Sequence, residues 1–431
     1  MSTQTDPKAA RIGDPAVARF VSRHLRRNLM LLAADYGFFG LGMTFASLST
    51  IAPAFAERLG ASNLVIGLIP AIMTLGYALP PLFTANYTER LPRKLRFILK
   101  YTTLERLPYL VMAIGAYFLA VERPDLMLAL LLACLAVISG AGGALMPAWL
   151  DLISKVVPTS YRGRLFAFGS TLASFLGLGG SVLVGYYLAT YAFPVDYALS
   201  FATGFICLVF SFACLAFVRE PAIVGSKPHV AFREYVRRLP EILSRNRSFT
   251  WYLVTRVFAF FGQMAAGFYT VYALRVLHVP ESEVALFTFI LLAGQTIANV
   301  VFGYVADHVG HKPVLVAGAL AIAIGNVVAI ASRSSIEICV VFVFYSIWIA
   351  AMNVSALTLT IEFAPPDEVP TYTGLASTLV APAAFIAPLI GGLLADAAGY
   401  PVVFAIAAVA AIANAALLVT RVHDPRGHRP A

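Results

Sequence analysis

Charged and amide side chains lying inside long apolar runs are the residues of this sequence best placed to do chemistry. Asp35, in Leu31-Leu-Ala-Ala-Asp35-Tyr-Gly, falls about two turns into the first run, and Arg256, in Leu253-Val-Thr-Arg256-Val, about two turns into the seventh. An ionised group at the centre of a membrane helix costs about 2.5–3.5 kcal/mol, so each needs a compensating role. Opposite signs at similar depth allow a charge pair or an ion site across a cavity, or make Asp35 a protonation site. The competing reading is that each group snorkels or pairs locally. Glu105-Arg106, near one end of the third run, reads as a local structural pair; Asp151 and Glu362 close the fourth and tenth runs and either join a gate or are solvated. Gln263, Gln295, Asn299 and Asn353 lie deeper, and Gln295 and Asn299, four apart, share a helix face. Such amides bind substrate hydroxyls and carbonyls, or hold helices together for about 0.6 kcal/mol each. No nucleotide loop, metal-ligand spacing or nucleophile set accompanies them, so no enzyme, cofactor or metal is expected.

A second group of residues lies between runs, in Gly303-Tyr-Val-Ala-Asp307-His-Val-Gly310-His311-Lys312-Pro313. Gly303 is expected to let two helices approach closely. Gly310 suits the positive φ of a tight reversal. Pro313 suits the first turn of the next helix, where its missing N–H would be unpaired anyway. Asp307 is an anion that a helix N-terminus or an arginine could hold. A degraded copy follows the second run, Ala85-Asn-Tyr-Thr-Glu89-Arg-Leu-Pro92-Arg93-Lys94, which keeps an acid and a base and loses both glycines.

The elements that carry these residues follow from composition. Of 431 residues, 60% are hydrophobic and 12% charged, against about 25% charged in a soluble domain. That is too little charge to coat a water-facing surface of this size. Twelve apolar runs have the length of a membrane-crossing helix: 29–52, 62–85, 96–120, 126–152, 163–189, 196–218, 250–274, 282–306, 312–332, 336–361, 371–395 and 400–420. An all-α membrane protein of twelve spans is expected, with no signal peptide and no substantial soluble domain. The net charge of +9 gathers in loops on one side and points to an anionic membrane face rather than nucleic acid. Of the loop basic residues only Arg58, Arg123, Arg275 and Arg333 fall on the other side, so both termini are expected in the cytoplasm of a cell-membrane protein. Cys134, Cys207, Cys214 and Cys339 lie inside runs and read as packing residues.

The chain divides into an N-terminal arm (1–28), six spans (29–218), a polar linker (219–249), six more spans (250–420) and a tail (421–431). Within the linker, Phe232, Tyr235, Val236 and Leu239 share one helical face, as in an amphipathic helix at the membrane surface. The halves look like repeats: Phe38-Phe39-Gly40 matches Phe260-Phe261-Gly262, the two loops match, and Ser174-Phe175-Leu176 matches Ala384-Phe385-Ile386, in the same order. Duplicated six-helix halves with a site between them at mid-membrane are a common transporter plan.

The Gly303–Lys312 pattern, its position between the eighth and ninth runs, and the duplication resemble the major facilitator superfamily over nearly the whole chain. The resemblance implies two six-helix bundles that rock about a central cavity lined by spans 1, 4, 7 and 10, with the signature loops as gates. It makes Arg162 or Arg164, in Tyr161-Arg162-Gly163-Arg164, the expected partner of Asp307. Two family patterns are absent. The arginine that proton-coupled members carry before a span-4 glycine run would fall at Ala136, ahead of Gly140-Ala141-Gly142-Gly143, and span 5 lacks the antiporter proline. A similar Ala387-Pro388-Leu389-Ile390-Gly391-Gly392 occurs in span 11. The expectation is a monomeric secondary transporter of a small organic solute, with protons as partner if it is coupled; an uncoupled facilitator and a transport-inactive receptor or scaffold are the alternatives.

Overall fold

The computed structural model describes residues 15–89, 91–222, 244, 246–365 and 368–423. The expected amphipathic linker helix and the far tail lie outside them. The fold is all-α. Among the described residues, eight helices are long and apolar enough to cross a membrane alone: Pro124–Val156 (span 4), Thr159–Thr190 (5), Val195–Ala216 (6), Val284–His308 with a preceding 3-10 turn (8), His311–Ala331 (9), Ser335–Phe363 (10), Val369–Ala398 (11) and Tyr400–Arg421 (12). The other four are broken in two: Pro15–Thr44 and Ile51–Arg58 (span 1), Asn63–Ala78 and Pro80–Glu89 (2), Lys94–Tyr101 and Thr103–Leu119 (3), Arg247–Gly262 and Phe268–Arg275 (7). The first helix thus begins inside the expected polar arm, and its span runs past the expected end at residue 52.

Backbone groups freed by a break inside a membrane must find partners within the protein. Those of spans 1 and 7 do. Ser200 donates to the Phe45 carbonyl at 2.8 Å and Thr270 to that of Ser49 at 3.0 Å. At the break in span 7, Asn326 donates to the Gly262 carbonyl at 3.1 Å.

The helices form two similar bundles. Spans 1 and 6, 2 and 4, 3 and 4, and 3 and 6 pack together in the first; spans 7 and 12, 8 and 10, 9 and 10, and 9 and 12 repeat those pairings in the second. The bundles meet where span 2 packs on span 11 and span 5 on span 8. Large apolar side chains such as Phe83, Phe175, Val300 and Ile336 point outward, as a lipid-facing surface allows. The four cysteines are free.

The core changes across the membrane. On the side away from the termini it is one cluster drawing on both bundles, from Phe45, Phe55 and Ile66 to Phe268, Phe287 and Phe404. On the side of the termini it splits into clusters confined to single bundles, around Leu152 and Val156 in the first, and around Tyr252 and Leu359 with a small one at Ala306, Val314 and Ala351 in the second. The span-4 glycine run brings spans 2 and 4 backbone to backbone within the first bundle. A Cβ on Gly143 would lie 2.2 Å from the Gly76 carbonyl oxygen, whereas one on Gly140 would meet nothing within 4 Å. Gly143→Ala is therefore expected to destabilise by roughly 1–3 kcal/mol through overpacking, and Gly140→Ala to be neutral or slightly stabilising. Thermal unfolding of the two purified variants checks the difference; equal melting temperatures would refute the packing assignment.

Candidate functional site

The two bundles are held together at the face away from the termini. Span 2 and span 11 touch backbone to backbone there: a Cβ on Gly67 would lie 2.4 Å from the Pro388 carbonyl oxygen and one on Gly392 2.6 Å from that of Asn63. The first amides of a helix have no acceptor of their own. For span 2 the acceptor comes from the other bundle. Asp396 Oδ1 accepts from the Asn63 backbone N–H at 3.1 Å and its side-chain amide at 2.9 Å, and Oδ2 accepts from the Leu64 N–H at 3.0 Å. Arg275 donates to Asn63 Oδ1 at 3.2 Å and to the Ala61 carbonyl, and pairs with Glu57 at 3.5 Å. Tyr400 donates to Asn63 Oδ1 at 2.7 Å. Arg58 pairs with Glu281 at 3.2 Å, and the Thr50 and Thr288 hydroxyls bond at 2.7 Å below them.

Beneath this seam, toward the termini, lies a cavity of about 470 Å³. It is lined by Thr74 and Ala78 of span 2, Arg256 and Phe260 of span 7, Met352, Asn353 and Thr360 of span 10, and Thr373, Ser377 and Val380 of span 11, among others. Spans 7 and 10 take the expected place, while spans 2 and 11 stand where spans 1 and 4 were expected. Arg256 Nη1 donates to the Tyr252 hydroxyl at 3.3 Å, and its buried Nε has no acceptor. Asn353 is exposed on the lining. Gln263 accepts from Trp348 Nε1 at 2.9 Å and so braces the break in span 7. Gln295 and Asn299 are not among the lining residues; Asn299 Oδ1 is buried without a partner.

Asp35 does not meet Arg256. It is buried within the first bundle, 3.6 Å from Arg106, with Ser211 donating to it at 2.6 Å. Arg106 spends its donors inside the bundle. Nη2 donates to Ser211 at 2.9 Å, Nε to the Leu208 carbonyl at 3.1 Å and Nη1 to that of Thr102 at 3.4 Å, while Glu105 lies 3.7 Å away. Glu105 fits because Gly142 leaves room: a Cβ there would be 2.6 Å from its carboxylate. The expected local pair Glu105–Arg106 is thus the middle of a larger cluster. The cation absent from span 4 at Ala136 enters the bundle from span 3.

The signature loop is disengaged. Gly310 has φ +113° and caps span 9, as its type suggests. Gly303 faces open space and mediates no close approach. Asp307 is exposed. Arg162 bonds the Val157 and Ser154 carbonyls, and Arg164 stacks on Tyr161, so neither holds Asp307. Lys312 reaches the Val419 carbonyl at 3.2 Å. Each bundle also ties the start of its third helix to the end of its fourth: Lys94 pairs with Asp151 at 3.1 Å, and His311 lies 3.9 Å from Glu362. Glu220 caps span 3 through the Lys94 and Leu95 amides, both at 2.8 Å. The side chain of Glu89 lies outside the description.

Asp396 was missed at the sequence level, although a signal existed. Gly392-Leu-Leu-Ala-Asp396-Ala-Ala-Gly399 repeats the spacing of Gly303, Asp307 and Gly310 on the opposite face. Gly399, at φ +83°, caps span 12 as Gly310 caps span 9.

A sequence model of the Major Facilitator Superfamily matches residues 34–277 and 257–431. No curated protein matches. Similar solved structures include a variant of the nucleoside transporter NupG, with TM-score 0.74 and 10% identity over 92% of this chain and 100% of that one. A D-xylose–proton symporter has TM-score 0.68 and 16% identity over 93% and 99%. A bacterial homologue of the human lysosomal transporter Spinster, inward-facing and unoccupied, has TM-score 0.64 and 16% identity over 95% and 96%.

Arg106→Gln would leave Asp35 and Glu105 buried without their cation, a loss expected to cost about 3–5 kcal/mol. Asp35→Asn combined with Arg106→Gln should recover part of it. Unfolding of the detergent-solubilised variants measures both; a single change no worse than the double would show that the cluster is not coupled.

Proposed function

The chain belongs to the major facilitator superfamily, and on that premise we propose that it is a secondary active transporter moving a small organic solute across the cell membrane by alternating access. One observation carries this reading: a cavity between the bundles, with a cation, an amide and hydroxyls set in an apolar lining, capped on one face by inter-bundle bonds, above a core that divides between the bundles on the other. A scaffold has no use for such a cavity. With both termini in the cytoplasm, as the basic loops favour, the captured state is inward-open and the Asp396 seam is the outer gate. Residues 29–218 and 250–420 are the moving units, joined by the linker 219–249.

Rocking the bundles the other way requires Asp396 to leave the span-2 amides and Arg275 to leave Asn63. The disengaged Asp307 loop then comes to span 5, where Arg162 exchanges the Val157 and Ser154 carbonyls, or Arg164 its place on Tyr161, for the carboxylate. The two Gly-x-x-Ala-Asp-x-x-Gly loops act as latches of opposite states. Proton coupling, in this reading, belongs to the Asp35–Arg106–Glu105 cluster. One guanidinium faces two carboxylates, so a single proton brings the cluster to neutrality. Ser211, which bonds both Asp35 and Arg106, links spans 1, 3 and 6 and passes the change in charge to their packing.

Flux into proteoliposomes over a broad solute panel, with and without a proton gradient, tests the proposal; no flux of any solute would favour the receptor or scaffold reading. Asp396→Ala is expected to open the outer gate. A single cysteine at position 49 of a cysteine-free background, carried by Ser49 beside Thr270, should then react faster with an impermeant maleimide added outside. Unchanged labelling would remove Asp396 from the gate. Asp35→Asn is expected to abolish gradient-driven accumulation while sparing solute exchange; normal accumulation by the variant would remove Asp35 from coupling, and a wild type that exchanges but never accumulates would mark an uncoupled facilitator.

A further inference from the structure

We infer that the solute is a small organic anion and that Arg256 binds its carboxylate or phosphate group. The inference rests on reading the cavity as the transport site and goes further by naming the substrate's chemistry. Arg106 and Arg256 both lie away from the ends of their spans, and they are provided for in opposite ways. Arg106 has two carboxylates within 4 Å, at 3.6 and 3.7 Å, and acceptors on all three nitrogens. Arg256 has no ion-pair partner among the described residues. Its one bond is to the Tyr252 hydroxyl, which itself donates to the Ala356 carbonyl at 2.6 Å. Tyr252 therefore positions the guanidinium without neutralising it.

A guanidinium carries five N–H donors in a fixed fork, and the half-buried Arg256 spends one of them on a protein acceptor. Here the buried Nε is left open in a residue that lines a cavity. The group that satisfies such a fork is a planar or tetrahedral oxyanion, held by two parallel bonds. Among the described residues Arg256 is the only ionisable one on the lining, and no described carboxylate stands there to receive a cationic solute. The remaining polar lining consists of the Asn353 amide and the hydroxyls of Thr74, Thr360, Thr373 and Ser377. These groups suit the hydroxyl and carbonyl substituents of such an anion. Phe260, Met352 and Val380 supply the apolar wall. The volume, about 470 Å³, falls in the range of small-molecule sites.

A carboxylate and a phosphate monoester share this chemistry, and the experiment separates them. The melting temperature of the purified full-length protein is followed with pyruvate, succinate and citrate in one arm, with glycerol 3-phosphate and glucose 6-phosphate in a second, and with glucose, uridine and choline as controls. Ligand that binds the folded state raises the melting temperature. At least one anion should do so. Its half-saturating concentration should rise tenfold or more in Arg256→Gln and less in Arg256→Lys, with both unliganded variants melting near the wild type. The arm that responds identifies the anion. Counterflow in proteoliposomes then separates the two levels of the argument. If glucose, uridine or choline is transported equally by wild type and Arg256→Gln while no anion binds, the anion assignment falls and the transporter reading stands. If no solute binds or moves, both fall. Anion binding that is unchanged in Arg256→Gln overturns the role of Arg256.

Discussion

A helix that begins inside a membrane protein leaves its first amides without acceptors, and at span 2 the acceptor belongs to the other half of the molecule. Asp396 reaches across from span 11 to bond the Asn63 and Leu64 amides, where a carboxylate also meets the positive end of the helix dipole. Gly67 and Gly392 let the two backbones come close enough for that reach. The rest of the architecture depends on this seam. With spans 2 and 11 pinned at one face, the bundles share a core there and part toward the other. The cavity is the space left by their parting. Its wall is made by the pinned helices themselves, which explains why spans 2 and 11 line it with spans 7 and 10.

The two bundles repeat their packing yet treat intramembrane charge differently. The first turns Asp35, Glu105 and Arg106 into a closed cluster, with Ser211 donating to one partner and accepting from the other. The glycines of span 4 make room for it. The second leaves Arg256 on the cavity wall, braced by Tyr252. Duplication of the fold thus permitted a division of labour: internal charge balance in one half, an open cation in the other. At the face of the termini the symmetry is retained in function rather than residue type, as Lys94 meets Asp151 in one half and His311 meets Glu362 in the other.

Span number, the two six-helix halves and the signature loop were legible in the sequence, because each is written in local terms. A run of apolar residues about 20 long crosses lipid whatever its neighbours do. Gly310 takes its positive φ from its own lack of a side chain. The intramembrane polar residues were also legible as a set, since any such group stands out against an apolar background. Their partners were not. Asp35 and Arg256 share a depth and differ in sign, yet depth says nothing about rotation around the helix axis, and rotation turned Asp35 to Arg106 and Ser211. Gly303 looked like a contact glycine and faces open space; Gly143, noted only as part of the span-4 run, and Gly67, which carried no signal, make the contacts instead. Asp396 went unread because the spacing that sets Asp307 apart recurs there without the flanking base.

Composition, run lengths and the matched motifs of the two halves therefore determined by themselves that this chain is a duplicated twelve-span membrane protein with charges it must compensate. These are properties of short stretches, and lipid as solvent enforces them locally. Which charge meets which, which face is sealed and which spans enclose the cavity were decided only by the tertiary structure. Those outcomes depend on pairs such as Asn63 and Asp396, some 333 residues apart, whose meeting depends on how two preformed bundles rotate and tilt against each other.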